Sequence, residues 1–322
     1  TTSLKPTLAL KLLESYEKVI FLDPDTFILS PLDEVQFELI TNDIILTPHF
    51  INPQTKNDSK YPDLDCLKYG GFNLGFFAVK NTENGINFLR WWENRCLDQC
   101  YFETQNGLST DQKWIVIANV FFDGIKNLRH PGYNIAYWNA KYRNITSKNG
   151  SFFANEEPIR FMHFSSLIDQ CNDEKLSSRS NLKFEELEDS KNWREIFNNY
   201  IELTKSFENE LNLGNYEYSY DRIGARYITY TLRRYYGENI EIFKNENPFK
   251  SEDLIRFARK HKLLSRSSMP IRLNENKISS GKLKLLIRSY RILMKIIGYR
   301  NDINLSRLHI YLSSPHRIKS FF

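Results

Sequence analysis

The strongest constraint on the fold is an apolar run at residues 19–22 that ends abruptly at two aspartates, Asp23 and Asp25. A short apolar run bounded by Asp and Pro predicts a buried strand that stops at a turn. Residues 3–15 precede it and predict a helix, because their leucines recur at helical spacing on one face. The N-terminal segment is therefore predicted to be a helix that leads into a strand with two carboxylates at its carboxyl end.

The same alternation of short apolar runs and amphipathic stretches continues to about residue 165. Strands are predicted at residues 44–46, 74–79, 125–128, 133–138 and 159–163, and helices at residues 82–100 and 111–120. This alternation is typical of α/β domains, in which helices cover a central sheet. The first region is therefore predicted to have an α/β fold with a mostly parallel mixed sheet.

The pattern changes after about residue 168. Polar helical segments, for example residues 183–210 and 227–236, are separated by joints rich in Asn and Ser. We therefore expect a mainly α-helical second region, with a boundary that divides the chain into residues 1–180 and 181–322. A chain of 322 residues also has the size expected for two domains of about 150 residues each.

Basic residues are concentrated in the last fifth of the sequence. Residues 256–322 hold 16 lysines and arginines against two acidic residues, Glu275 and Asp302. Within residues 282–297, a predicted amphipathic helix, basic side chains recur at helical spacing: Lys284, Arg288, Arg291 and Lys295. This helix either lies on an anionic membrane surface or packs its apolar face in a core and leaves its basic face solvated. No recognisable nucleic-acid-binding module accompanies it, so nucleic acid is not an expected partner.

Composition predicts a globular rather than a disordered chain, since 41% of the residues are hydrophobic and 26% are charged. The longest uncharged apolar runs are far shorter than the roughly 20 residues needed to span a bilayer. No secretory leader is recognisable, and the four cysteines show no metal-finger spacing. These features predict a cytoplasmic protein, attached peripherally to the inner face of the membrane if the basic helix binds lipid.

Asp23 and Asp25 are candidate ligands of a divalent cation. Side chains alternate along an extended chain, so the two carboxylates point to the same side. In open α/β sheets, ligands bind at the carboxyl ends of strands. Carboxylate oxygens suit Mg²⁺ or Mn²⁺, which in turn bridge phosphate oxygens. The alternative is that Asp-Pro-Asp is simply a turn after a strand, because both residue types are favoured in turns.

Further motifs accompany the two aspartates in a fixed order: Gly70-Gly-Phe-Asn-Leu-Gly75, Thr110-Asp-Gln112, Pro131-Gly-Tyr-Asn-Ile-Ala-Tyr-Trp-Asn139 and Arg160-Phe-Met-His163. Over residues 1 to about 180 this order resembles bacterial GT-A glycosyltransferases of surface-polysaccharide and lipopolysaccharide biosynthesis, related in layout to the glycogenin-like retaining family. The resemblance implies a Rossmann-like GT-A fold. It also implies transfer of a sugar from a nucleotide-diphosphate sugar, with a UDP-sugar as the expected donor, to a glycan or lipid-linked acceptor.

The same resemblance implies a metal centre. Asp23 and Asp25 match the DxD motif that holds Mn²⁺ or Mg²⁺ and reaches the donor, and His163 matches the histidine that supplies the third ligand. Such a set leaves coordination positions open for the diphosphate oxygens of the donor. Taken alone, a histidine at a strand end is more often structural than a ligand, so both roles stay open for His163.

Further residues match positions around the donor in this family. Asn73, Gly75 and Gln112 match donor-binding positions, and Lys5 matches a basic residue near the diphosphate or the sugar. Asp111 matches a carboxylate beside the sugar and is the first candidate for a catalytic residue. Simpler roles also fit these residues. Gly75 can serve close packing, Asp111 or its neighbour can cap a helix, and Lys5 can be solvated.

Two departures from the family pattern are visible. Only 18 residues precede the strand at 19–22, whereas the GT-A fold begins with a nucleotide-binding βαβ half, so we expect a domain that lacks part of that half. Ser166 stands where the family usually has glycine, and the Lys-Pro-Trp that follows in the retaining enzymes is absent. The anomeric outcome of transfer therefore stays open.

Two other functions compete with this interpretation. An aspartyl-nucleophile phosphohydrolase also begins with a buried strand that runs into Asp-x-Asp, but it expects Thr or Val at the position of Phe27 and a later acidic pair. A truncated, non-catalytic GT-A domain would act instead as a scaffold in a polysaccharide complex. A glycosidase fits less well, since two aspartates one residue apart suit a metal better than opposite faces of a sugar.

Overall fold

The computed structural model describes residues 2–54, 63–166, 175–208, 227–243 and 250–265, together with scattered positions from 285 to 296. The chain divides into two compact units, Thr1–Asn212 and Leu213–Phe322. Each unit has its own hydrophobic core. Most of the basic segment at 282–297 lies outside the described residues.

Helices and strands alternate through the first unit. Its α-helices are α1 (Lys5–Leu13), α2 (Asp33–Thr41), α3 (Leu64–Tyr69), α4 (Glu83–Gln99), α5 (Gln112–Ile115), α6 (Ala118–Phe121) and α7 (Ser190–Glu208). Its strands are β1 (Lys18–Leu22), β2 (Thr26–Ile28), β3 (Ile44–Pro48), β4 (Phe72–Lys80), β5 (Phe102–Glu103), β6 (Leu108–Ser109), β7 (Ile125–Asn127), β8 (Ile145–Lys148), β9 (Ser151–Ala154), β10 (Glu157–Pro158) and β11 (Phe161–His163). Short 3₁₀ helices lie at Thr2–Leu4, Thr104–Asn106, Ala140–Tyr142 and Phe184–Glu186. The predicted α/β class is confirmed.

The main sheet has the strand order β1-β4-β3-β7. Strand β4 runs antiparallel to both β1 and β3, and β3 pairs in parallel with β7. The prediction of a mostly parallel sheet is therefore wrong for the strands that the structure describes. Hydrophobic periodicity reports which residues are buried, but the direction of a strand depends on the route of the connections between strands. Because β4 is reversed, its amino end meets the carboxyl ends of β1 and β3.

Smaller sheets complete the first unit. Strands β8, β9 and β10 form an antiparallel sheet, and the pairs β2–β11 and β5–β6 are antiparallel ribbons. In the β2–β11 ribbon, His163 lies opposite Thr26. This pairing brings the end of β11 beside the turn that carries the two aspartates.

The strand predicted at 133–138 is not present as a strand. The segment is mostly buried and contributes one bridge, between Ile135 and Met162. Its backbone enters the left-handed region at Asn134, where φ is 52°. A strand needs extended backbone at each position, so this residue interrupts it. The helix predicted at 111–120 is likewise divided into the two short helices α5 and α6.

The core lies on both faces of the main sheet. On one face, Phe77 of β4 packs with Leu13 of α1 and Trp92 of α4. On the other face, Phe76 packs with Leu39 of α2 and with residues of β11. Adjacent side chains of a strand point to opposite faces, which explains why β4 is apolar along nearly its whole length.

Helix α7 packs against the rest of the first unit. Trp193, Ile196 and Tyr200 of α7 belong to the same buried cluster as Phe164 and Ile145. For this reason the first unit extends to Asn212, beyond the boundary at residue 180 that the change in sequence pattern suggests.

The second unit is described over a smaller part of its length. It contains β12 (Tyr227–Ile228), α8 (Tyr230–Glu238), a 3₁₀ helix at Ile240–Phe243, α9 (Glu252–Lys260) and β13 (Leu264–Ser265). Strands β12 and β13 pair antiparallel, and the core is built from Leu232, Phe243, Leu254, Ala258 and Leu263. None of the helices in the described ranges is both long enough and apolar enough to cross a membrane.

Candidate metal and donor site

The turn after β1 holds Asp23 and Asp25 in place through backbone hydrogen bonds. The Asp23 N–H donates to the Gly75 carbonyl at 2.8 Å, which extends the β1–β4 pairing by one residue. The N–H and the hydroxyl of Thr26 both donate to the Asp23 carbonyl, at 3.1 and 2.8 Å. The Phe164 N–H donates to the Asp25 carbonyl at 2.7 Å. The segment is a turn, as its composition predicts, and the same turn presents both carboxylates at the carboxyl end of β1.

Asp23, Asp25 and His163 form a cluster whose candidate ligand atoms all lie within 4.8 Å of one another. His163 is buried, and its Nε2 lies 3.1 Å from Oδ1 of Asp25. The two aspartate side chains are 22% and 41% exposed, so the cluster is open on their side. Two carboxylates and one imidazole suit Mn²⁺ or Mg²⁺, and the residues present therefore fit the expected cation.

The electrostatics of the cluster keep Asp25 ionised. Burial alone raises the pKa of Asp25, but the hydrogen bond and the charge of His163 outweigh it and hold the pKa below its ordinary value. An ionised carboxylate is the form that ligates a metal ion.

Lys5 joins the cluster to a second, buried carboxylate. Its Nζ lies 2.9 Å from Oδ1 of Asp23 and 3.2 Å from Oδ2 of Asp111, and it donates to the Leu74 carbonyl at 2.8 Å. These three acceptors match the three N–H donors of an ammonium group. Burial lowers the pKa of Lys5, but attraction to Asp111 and Asp23 outweighs it and raises the pKa above its ordinary value. Lys5 is therefore a buried cation, not a solvated one.

Asp111 lies deeper than the two aspartates of the turn and is only 3% exposed. Its Oδ1 accepts a hydrogen bond from the Thr110 hydroxyl at 2.9 Å, and its carbonyl accepts one from the Trp92 indole at 3.0 Å. Burial raises the pKa of Asp111 above its ordinary value, although Lys5 opposes the shift. Asp111 stands at the N-cap position of α5, but its carboxylate is directed to Lys5 and Thr110 and makes no capping hydrogen bond.

Gln112 lies beside this group, but its side chain is directed elsewhere. Its amide nitrogen donates to the Tyr69 carbonyl at 3.0 Å. This bond ties the start of α5 to the end of α3. The Gln112 side chain is therefore engaged outside the Lys5–Asp23–Asp25 group.

Asn73 and Gly75 lie at the start of β4, directly behind His163. The Asn73 side-chain oxygen accepts hydrogen bonds from the Gly75 N–H at 3.0 Å and from the Asn134 amide at 3.1 Å. A Cβ atom at position 75 would collide with the His163 ring and with the Asn73 amide. Glycine at this position therefore allows the imidazole to lie against β4.

Three further side chains lie at the site, for which the sequence predicted no metal-binding or donor-binding role. Asn134 is fully buried, and its Oδ1 lies 3.1 Å from Nδ1 of His163. The Trp138 ring contacts the His163 ring edge-on, with centroids 5.3 Å apart. His49 lies 3.4 Å from the Asn73 amide, and burial lowers the pKa of His49 to about 4, so its ring is neutral near pH 7. A polar Asn inside an otherwise apolar run was the available signal for Asn134.

No protein-family model matches the chain. Among curated proteins, the chain is similar to two from Bacillus subtilis (strain 168), whose names state no activity. It is 29% identical over 158 residues to uncharacterized protein YfnF, which is 46% of this chain and 49% of the relative. It is 26% identical over 168 residues to uncharacterized protein YfnD, which is 51% of this chain and 52% of the relative. The chain thus spans about half the length of both relatives that it matches.

Proposed function

We propose that this chain is a divalent-metal-dependent glycosyltransferase. It takes a sugar from a nucleotide-diphosphate sugar, with a UDP-sugar as the preferred donor, and transfers the sugar to a glycan or lipid-linked acceptor. The observation that carries the proposal is the convergence of Asp23, Asp25 and His163 beside the Lys5–Asp111 ion pair. These five residues come from four separate segments of the chain, and they meet at the carboxyl end of β1.

Each group has a chemical task in this proposal. Asp23, Asp25 and His163 would hold Mn²⁺ or Mg²⁺, and a bound cation neutralises the charge that develops on the diphosphate leaving group. Lys5 contributes a fixed positive charge at 2.9 Å from Asp23. Asn73, near the start of β4, orders the wall of the site through its bond to Gly75.

Asp111 is the proposed catalytic carboxylate. Burial raises its pKa, which is a property of carboxylates that accept a proton during a reaction. Its Oδ2 faces Lys5, and Lys5 also contacts Asp23, so one cation couples Asp111 to the proposed metal centre. A donor sugar seated between them would take hydroxyl contacts from Asp111.

The proposal extends to the fold and to the location of the protein. A sheet whose β1 ends at the metal-binding carboxylates supports a GT-A, Rossmann-like architecture, in which ligands bind at strand ends. The basic segment at 282–297 supports peripheral attachment to the inner face of the cytoplasmic membrane, where a lipid-linked acceptor would be found.

The first test is a calorimetric titration of UDP into the protein with and without Mn²⁺. We expect UDP binding that requires Mn²⁺ and that His163→Ala abolishes. His130→Ala is the matched control. His130 also lies between two carboxylates, with Nε2 3.5 Å from both Glu34 and Glu157, but it is not part of the cluster. Mn²⁺-dependent UDP binding that survives His163→Ala would contradict the proposal.

The competing functions give different results with the same protein. An aspartyl-nucleophile phosphohydrolase would release phosphate from p-nitrophenyl phosphate in Mg²⁺ without any nucleotide, and Asp23→Asn would abolish the release. A non-catalytic scaffold would bind neither UDP nor Mn²⁺ and would release no UDP from a panel of UDP-sugars. Turnover of a UDP-sugar that depends on Asp25 would exclude both.

A further inference from the structure

We propose that an open cleft beside helix α2 binds an uncharged oligosaccharide. The cleft has a volume of about 850 Å³ and lies wholly within the first unit. This volume falls in the range of protein clefts that hold organic ligands. That such a glycan would serve as the acceptor of sugar transfer rests on the proposed function, whereas its binding in the cleft does not.

The cleft lies at the same edge of the main sheet as the Asp23–Asp25–His163 cluster. Strands β1, β3 and β7 run in the same direction, because β4 is antiparallel to both β1 and β3, and β3 is parallel to β7. The aspartates follow β1, whereas residues that follow β3 and β7 line the cleft. In the order β1-β4-β3-β7, β7 lies three strand spacings, or about 14 Å, from β1. A glycan of several sugar units would be needed to reach from the cleft to the proposed metal centre.

Charges of both signs line the cleft and nearly balance. Its charged residues are four carboxylates and two fixed cations: Asp33, Glu34, Glu38, Glu157, Lys126 and Arg129. A third cation, the guanidinium of Arg160, lies 3.5 Å from the Asp33 carboxylate and 2.6 Å from that of Glu34. The Lys126 ammonium lies 2.8 Å from the Glu38 carboxylate. Such a balance gives no strong field to attract a polyanion or a polycation, which favours an uncharged ligand.

Glu34 is a preorganised hydrogen-bond acceptor in the cleft. Its Oε1 accepts a hydrogen bond from the Arg160 guanidinium at 2.6 Å, and its Oε2 accepts one from the Tyr133 hydroxyl at 2.9 Å. Burial raises the pKa of Glu34, but hydrogen bonds, above all the one from Arg160, outweigh it and hold the pKa below its ordinary value. Each carboxylate oxygen has two lone pairs, so Glu34 keeps the capacity to accept from a ligand hydroxyl. A hydrogen bond to a charged acceptor is stronger than one between neutral groups.

Two exposed amides add groups that both donate and accept. Asn52 follows β3 and Asn127 ends β7, and both line the cleft. A sugar hydroxyl also donates and accepts, so amides and carboxylates together complement it. A fully ionised phosphate group can only accept hydrogen bonds, and here it would meet four carboxylates.

Phe37 supplies an apolar surface beside these polar groups. It is 71% exposed, although its neighbours on α2, Val35 and Leu39, are fully buried. Phe37 therefore lies on the outer side of the helix, away from the core. A pyranose ring has C–H groups on its faces and hydroxyls on its rim, and the C–H face buries apolar area when it packs on an aromatic ring. An exposed aromatic ring next to hydrogen-bonding groups is thus complementary to both parts of a sugar.

The test is a binding screen on immobilised oligosaccharides, followed by calorimetry in solution with the one that binds best. Maltohexaose, cellohexaose, chitohexaose and mannohexaose are the neutral probes, a hyaluronan hexasaccharide is the acidic probe, and hexalysine is the basic peptide probe. No metal or nucleotide is added. We expect binding to a neutral oligosaccharide that exceeds binding to either charged probe.

Three variants locate the bound glycan. Phe37→Ala removes the apolar surface that a sugar would cover and is expected to weaken binding about 10-fold. Its fold should be kept, because the ring is exposed. Asp25→Asn is expected to keep the affinity, because the cleft is separate from the cluster. Phe207→Ala is the matched control, since Phe207 is a 53% exposed phenylalanine of α7 that does not line the cleft, and it should leave the affinity unchanged.

Each outcome decides the inference. A protein that binds none of the neutral probes, or whose binding Phe37→Ala does not weaken, would overturn it. Loss of glycan binding in Asp25→Asn would place the glycan at the cluster and overturn a separate cleft. Preferred binding of hexalysine that Phe37→Ala weakens would identify a site for a basic peptide instead. A protein that binds a neutral oligosaccharide in the cleft but no UDP with Mn²⁺ would support the inference and overturn the proposed transferase.

Discussion

Lys5→Met tests the link between the proposed metal centre and the buried carboxylate. The substitution keeps a long unbranched side chain but removes the ammonium group that lies 3.2 Å from Oδ2 of Asp111. The side chains of Lys5 and Asp111 are only 6% and 4% exposed, so water does not replace the lost partner. Removing one member of such a buried pair costs about 3–5 kcal/mol. The contribution of Asp23 is smaller, because its side chain is 22% exposed.

The cost of Lys5→Met should depend on pH in a defined direction. Burial already raises the pKa of Asp111 in the folded protein, and the loss of Lys5 raises it further. A carboxyl group with a raised folded-state pKa is destabilising when ionised and is tolerated when protonated. The deficit relative to the wild-type protein should therefore be largest above the folded-state pKa. It should shrink as pH falls toward the unfolded-state value of about 4.

Urea unfolding followed by tryptophan fluorescence measures this loss of folding free energy in the first unit of the chain. All five tryptophans lie between residues 91 and 193, within the first unit, and Trp92 donates to the Asp111 carbonyl. Lys11→Met is the matched control on the same helix. Lys11 pairs with Glu14 at the surface, where side chains are 73% and 61% exposed, and a change within about 0.5 kcal/mol is expected. A Lys5→Met variant as stable as the control, or with a deficit that does not shrink at low pH, would refute the reasoning.

Three further predictions concern the site and the basic segment. Asp25→Asn should abolish Mn²⁺-dependent UDP binding by calorimetry while the urea midpoint changes little, because Asp25 is partly exposed. Gly75→Ala should force the imidazole of His163 away, weaken Mn²⁺ binding and lower stability by about 1–3 kcal/mol. Gly71→Ala, where a Cβ meets nothing within 4 Å, should do neither. Replacement of Lys284, Arg288, Arg291 and Lys295 by Gln should weaken binding to phosphatidylserine vesicles, measured by sedimentation, by about 1 kcal/mol per residue at low salt and leave phosphatidylcholine vesicles unaffected.

Much of the first unit could be predicted from local pattern. The strand that ends at Asp23, the apolar strand β4 and the helix α4 are confirmed near their predicted positions. Burial and element type follow from periodicity within a few neighbouring residues, and that information is local. The direction of β4 and the interruption at Asn134 could not be predicted in this way. The first depends on the route of a connection and the second on a single left-handed residue.

The sequence by itself determined that two carboxylates stand at the end of a short strand, although only Val19 of that strand is buried. It also placed His163 at the end of another strand. Only the tertiary structure decided that these groups meet, because the β2–β11 pairing joins residues that are far apart in the chain. The same holds for Lys5 with Asp111 and for Asn134 with His163, whose contacts depend on packing across the sheet. Local patterns specify which side chains are available, and long-range strand pairing specifies which of them share one site.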